Sequence, residues 1–164
     1  MKIYLAGSMT GMSWEEQNEW RVQIKSELLK KKDFGGYNVD LTIVNPCEFF
    51  NYYQAKNTWY SEKEAMDFDI YQIRHSDLII VRFNNPNSIG TAMELMLAKE
   101  LYIPVLGWLD YDWSEERDQY ADFSKKIESI HPWLQECCTR IFPCKEDVVK
   151  YVENFYLKSC AKES

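Results

Sequence analysis

Five short runs that are apolar or β-branched almost throughout constrain the fold more than any other feature of the chain. They are "KIYLA" (2 to 6), "VDLTIVN" (39 to 45), "DLIIVRF" (77 to 83), "IPVLGW" (103 to 108) and "TRIF" (139 to 142), with helix-length stretches between them. Strands that read as near-continuous apolar segments are those of parallel sheets covered on both faces, whereas a sheet with one wet face alternates apolar and polar residues. Two Ser-x-x-Glu signatures, "SWEE" from Ser13 and "SEKE" from Ser61, mark helix starts, because such a pair satisfies free N–H groups of a first turn reciprocally. Strand and helix alternate with no repeat and no linker, so residues 1–164 are expected to form one domain. The expected architecture is a three-layer α/β sandwich around a five-stranded parallel sheet, with the N-terminal strand central. Ligands of such folds bind beyond the carboxyl ends of the strands, which gathers 7 to 13, 46 to 60, 84 to 92 and 109 to 116 at one rim.

Charge and composition remove several functions. With 19 Lys+Arg against 26 Asp+Glu the net charge is −7, and the longest basic block is "KKK" at 30 to 32, so no nucleic-acid partner is expected. No apolar run approaches the roughly 20 residues of a membrane span, and "MKIYLAGS" lacks the length and cleavage site of a signal peptide, so the expected location is cytoplasmic. Five cysteines without CxxC spacing and only two histidines, His75 and His131, give no ligand set for a metal, and the thiols are expected to be reduced. His75 is expected at a helix end, where a cation is favoured.

Two stretches carry candidate chemistry. "AGSMTGMS" (6 to 13) links the first strand to the first helix and resembles the hydroxyl-rich loop with which flavodoxins cradle the phosphate of FMN; two glycines, three hydroxyls and free helix N–H groups would suit other anions and sugars equally. "NNPNSIGTAMELMLAKE" (84 to 100) follows the third strand and sets Ser88, Gly90 and Thr91 at a helix start, with Glu94 in or near its first turn. A carboxylate there is expected to stay ionised at neutral pH under the helix dipole, as a nucleophile would need. "TAME" also reads as a capping box closed by Glu94. A second acid comes from "MDFDIYQIRHSD", where Asp67 and Asp69, two apart, cannot share one helical face. One of them is expected to face the crevice and the other solvent, and two carboxylates converging on a sugar are what glycosidic-bond chemistry needs.

"IYLAGS", Asp69 eight residues before the aspartate of "SDLIIV", and "NSIGTAMEL" together resemble the nucleoside 2-deoxyribosyltransferase family and its relatives, the 2'-deoxynucleoside 5'-monophosphate N-glycosidases, over roughly residues 2 to 106. The resemblance implies a flavodoxin-like (Rossmann-like) fold, assembly into homodimers or larger homo-oligomers, a deoxynucleoside or deoxynucleotide substrate with a nucleobase acceptor, and no cofactor. It also implies that Glu94 is the nucleophile forming a covalent deoxyribosyl intermediate, that Tyr4 orients it, and that Asp69 assists the leaving base. Gly7, Ser8, Met9, Ser88 and Gly90 would then bind the substrate, the first loop lying under the sugar. Ser88 stands where the monophosphate hydrolases carry a phosphate-binding serine, but Thr10 stands where they carry an arginine. Transfer and hydrolysis both remain open, as do a flavin carrier and a nucleotide sensor without turnover. The aromatic stretch 45 to 60 could stack on a base, cover the site from a neighbouring subunit, or form a satellite core.

Overall fold

The computed structural model describes residues 1–49, 61–85, 88–110, 123–124 and 126–160. Most of the aromatic stretch (50 to 60) and of the acidic stretch (111 to 122) lies outside the described residues. The elements run β1 (Lys2–Gly7), α1 (Trp14–Phe34), β2 (Thr42–Val44), a 3₁₀ turn (Pro46–Glu48), α2 (Glu62–Arg74), β3 (Leu78–Phe83), α3 (Ile89–Glu100), β4 (Val105–Leu109), α4 (Pro132–Cys137), β5 (Arg140–Phe142) and α5 (Lys145–Val152). A π-helical turn, Glu153–Leu157, continues α5.

The five strands form one parallel sheet in the order β2-β1-β3-β4-β5, the flavodoxin-like order. β3 is the middle strand; β1 is interior, pairing with β2 on one side and β3 on the other. β2 is shorter than its apolar run, since Val39 and Leu41 are buried in the core but precede the ladder. Both helix starts expected from Ser-x-x-Glu are reciprocal capping boxes, at Ser13 with Glu16 and at Ser61 with Glu64.

Residues alternate between the two faces of the sheet. Ile3, Leu5, Leu78, Ile80, Leu106 and Trp108 pack against Trp20, Ile24 and Leu28 of α1 and Val148, Val149 and Val152 of α5. Tyr4, Ala6, Ile79, Val81, Val105 and Leu109 face the other layer, where they meet Ile73 of α2, Leu95 and Ala98 of α3 and Cys137 of α4. Filling both faces is what the continuous apolar strands require. The five cysteines are free thiols, and the described residues hold no cluster of metal-ligating side chains. No described helix is long and apolar enough to cross a membrane.

Candidate active site

The order reversal beside β1 sets the site. Tyr4 lies on the α2/α3 face of β1 with 0 % of its surface exposed, and its hydroxyl donates a 2.7 Å hydrogen bond to Oε1 of Glu94. Asp69, on the inner side of α2, stands close enough for the same hydroxyl to favour its ionised form. Asp67, two residues earlier, points outward and pairs with Lys63. The one-face argument therefore resolves in favour of Asp69.

Glu94 is not in the first turn of its helix. Ser88 is the N-cap of α3, its hydroxyl accepting from the Thr91 N–H, so Glu94 is the sixth helical residue and closes no capping box. The expected full ionisation at neutral pH is opposed by burial. One turn further along, the dipole has faded, and desolvation dominates because the carboxyl is packed among protein atoms although the residue as a whole is half-buried. Burial pushes Glu94 up to about 7; the nearby Asp69 adds to the rise, while the Tyr4 bond and the Arg21 charge oppose it. Burial likewise pushes Asp69 up to about 6, against the Tyr4 hydroxyl and Arg21. Tyr4 is raised well above its ordinary value by burial and the two carboxylates, so it remains a proton donor. Two acids with raised pKa values around one neutral phenol retain a proton near neutrality that isolated carboxylates would have lost. One carboxylate oxygen of Asp69, Oδ1, is buried without a hydrogen-bond partner among the described residues, an acceptor open to a ligand or proton.

Asp69, Gly90 and Glu94 lie in the wall of a groove of about 1130 Å³ between α2 and α3. Its lining is largely apolar, with Met66, Ile70, Met93 and Met96 along it and Tyr102 at the far end. Tyr102 is 95 % exposed and adopts a left-handed backbone (φ 57°), the position after a helix that glycine usually fills. Of the other expected binding residues, Gly7 ends β1, Ser8 and Met9 follow it and Ser88 caps α3, and none of them lines the groove. Gly7 ends β1 against Trp20, where a Cβ would come within 3.0 Å of the ring. Ser8 is 2 % exposed, its N–H donating to Asn84 Oδ1 at 3.3 Å and its hydroxyl lacking a partner among the described residues. The Met9 carbonyl accepts from Gln17 Nε2. Ser88 pairs its hydroxyl with that of Thr91 at 2.9 Å. His75 caps α2, with Nδ1 2.7 Å from the Tyr71 carbonyl, and takes no part in the site.

Three polar residues of this region escape a sequence reading: Asn84, which ties the two loops, and Gln17 and Arg21, which are buried on α1. The signal for the last two is spacing. Positions 17, 21, 24 and 28 fall on one helical stripe, and Ile24 and Leu28 mark that stripe as core, so a glutamine and an arginine on it must be held by internal acceptors.

A family model described as a domain of unknown function, DUF4406, matches residues 1–107, which hold Tyr4, Asp69 and Glu94. The chain belongs to the DUF4406 family. No curated protein matches its sequence. Among solved structures, this DUF4406 chain is similar to a conserved protein from Enterococcus faecalis V583, at 17 % identity and a TM-score of 0.65 over 93 % of this chain and 96 % of that one. It is similar also to the 2-deoxyribosyltransferase of Bacillus psychrosaccharolyticus, at 18 % identity and a TM-score of 0.62 over 98 % and 96 %. The CMP N-glycosidase BcmB of Clostridium botulinum aligns at 15 % identity and a TM-score of 0.49 over 93 % and 98 %. The flavodoxin-like fold that the sequence resemblance implies is the fold found, shared with a deoxyribosyltransferase along almost its whole length.

Proposed function

We propose that this DUF4406 protein cleaves the N-glycosidic bond of 2'-deoxynucleosides or their 5'-monophosphates through a covalent deoxyribosyl intermediate on Glu94, and passes the sugar to another nucleobase or to water. The observation that supports this most is the buried Tyr4–Glu94 hydrogen bond with Asp69 beside it at the groove wall, on a fold shared with a 2-deoxyribosyltransferase. The reacting form has Glu94 ionised and the proton of the pair on Asp69, the less populated of the two singly protonated arrangements. The Glu94 oxygen attacks C1', and the C1'–N bond breaks as the C1'–O bond forms. The electron pair of the broken bond goes to the base, which takes a proton from Asp69. In the second half an acceptor base or a water attacks C1', gives its proton to Asp69 and releases Glu94. Tyr4 holds Oε1 of Glu94 in place and favours its anion. A 2'-deoxy sugar lacks the hydroxyl that would destabilise an oxocarbenium-like transition state, so one nucleophile and one acid suffice, with overall retention at C1'.

Gly7, Ser8, Met9, Ser88 and Gly90 are the proposed substrate contacts, and no cofactor or metal enters the reaction. The sequence resemblance implies a homo-oligomer, and the exposed Met66, Met93, Met96 and Tyr102 provide an apolar surface of the kind that such an assembly covers. Incubation of the pure protein with deoxynucleosides and with their 5'-monophosphates, with and without a second base, tests the reading. Free base or exchanged nucleoside is expected, and the acceptor dependence separates transfer from hydrolysis. No release from any of the deoxynucleosides or their monophosphates contradicts the proposal.

A further inference from the structure

Arg21 is 1 % exposed, yet none of its hydrogen-bond partners among the described residues is an acid. Its guanidinium instead clamps main-chain carbonyls: Nε donates to Leu5 O at 3.2 Å, one terminal nitrogen to Gly7 O at 2.9 Å and the other to Gln17 O. The thiol of Cys47 lies 3.8 Å away and the Trp20 ring stacks at 4.4 Å. Leu5 and Gly7 belong to the strand that carries Tyr4, and Gly7 opens the first loop. Carbonyl dipoles solvate a buried cation only in part, and without a compensating negative charge its burial costs several kcal/mol. We propose that Arg21 is a positioning residue for the reaction at Glu94, fixing the end of β1 behind Tyr4 and supplying the buried positive charge against which Glu94 becomes an anion.

The inference rests on the proposed role of Glu94 but makes a claim of its own about charge. The groups that act on Glu94 are Tyr4 from β1, Asp69 from α2 and Arg21 from α1. The groove it lines also carries Glu62 and Arg74 of α2 and Lys99 and Glu100 of α3, four exposed groups whose charges balance. Of the cations among them only Arg21 is buried, and guanidinium keeps its charge at every working pH even though burial lowers its pKa. With Arg21 counted, one negative charge shared by Glu94 and Asp69 leaves the cluster neutral, and a second is unfavourable. The arginine thus stabilises the singly protonated pair that the chemistry needs.

The test is the titration of the Glu94 side-chain carboxyl, followed by ¹³C NMR without substrate and assigned through Glu94→Gln, in wild type, Arg21→Met, Arg21→Gln and Arg21→Lys. Removing the charge should move the midpoint up by about 1 pH unit, the size expected for a charge acting through a partly polar interior. It should lower kcat at pH 6.5 about tenfold with KM little changed, a loss that follows from the same shift. Arg21→Lys should keep the midpoint near that of wild type and lower kcat through the lost clamp. A folded Arg21→Met or Arg21→Gln with an unmoved midpoint overturns the inference. If neither neutral variant folds, Arg21→Lys decides, because a kcat equal to wild type across the pH range contradicts positioning. The NMR readout needs no turnover, so an inactive wild type with a shifted midpoint refutes the deoxyribosyl reading alone, and an active one with an unmoved midpoint refutes only the role of Arg21.

Discussion

The two faces of β1 do different work with neighbouring residues of one strand. Ile3 and Leu5 point into a layer closed by the 21-residue α1 and by α5, where Ile24, Leu28, Val148 and Val152 are fully buried. Tyr4 and Ala6 point the other way, toward α2 and α3, which leave a groove of about 1130 Å³ with two carboxyl groups held at raised pKa. The first face gains stability from apolar area removed from water. The second gives some of that stability up, because desolvated acids and an open apolar wall are costs that an inert core would avoid. Activity and stability should therefore come apart when the faces are altered separately.

The largest expected effect lies on the groove side. Glu94→Ala should lower kcat on the order of 10⁴-fold or more while leaving the fold and substrate binding largely intact, since a nucleophile acts on the barrier far more than on ground-state affinity. Steady-state kinetics beside a binding isotherm measures both. A variant that retains a tenth of wild-type turnover breaks the comparison.

Asp69→Asn should come next, slowing base release by about 10²- to 10³-fold, the contribution typical of one positioned general acid. The pH profile should change with it. The proposed reaction requires one proton on the Glu94–Asp69 pair, so the rate should fall at both low and high pH, with apparent limbs in the region of 6 and 7. Asp69→Asn should lose the alkaline limb and keep the acid one. An unchanged bell would move the acid role to another group.

Leu28→Ala probes the closed face. Its cost should be about 2 to 5 kcal/mol of unfolding free energy, from lost burial and the cavity left behind, with kcat of the folded fraction within about twofold of wild type. Chemical denaturation and rate measurements on one preparation give the two numbers.

The smallest effect has the opposite sign. The folded-state pKa of Glu94 is raised from 4.5 to about 7, so the native state binds a proton more tightly than the unfolded chain. The contribution of this group to stability is then greatest below about 4.5 and falls as pH rises to about 7, above which the full cost is present. Glu94→Gln removes that cost and should stabilise the protein at pH 8 by about 2 to 3 kcal/mol, with the difference shrinking toward zero near pH 4.5. Melting curves at the two pH values check the sign, and equal gains at both would locate the effect in packing.

The closed face was the more legible of the two in the sequence. Apolar runs and capping boxes are local signals, and they located five strands and the starts of α1 and α2 within a few residues. Where "VDLTIVN" ran longer than β2, the pattern was reporting burial of Val39 and Leu41, which the core needs whether or not they pair. The groove face was legible only in its chemistry-bearing residues. Asp69 could be narrowed to one of two acids by helical periodicity, but the choice depends on the packing of α2 against β1. Glu94 lies one turn deeper in its helix than a cap would, because Ser88 rather than Thr91 caps α3, and there desolvation outweighs the dipole that the spacing suggests. The groove itself arises from the separation of α2 and α3, which no short motif encodes.

The central claim is that Glu94 carries the sugar. Wild-type protein quenched in acid during turnover of a deoxynucleoside, digested and examined by mass spectrometry, should show one deoxyribosyl unit on the peptide containing Glu94, and Glu94→Ala should show none. Ongoing turnover with that peptide unmodified at every quench time, or an adduct that persists in Glu94→Ala, would contradict it.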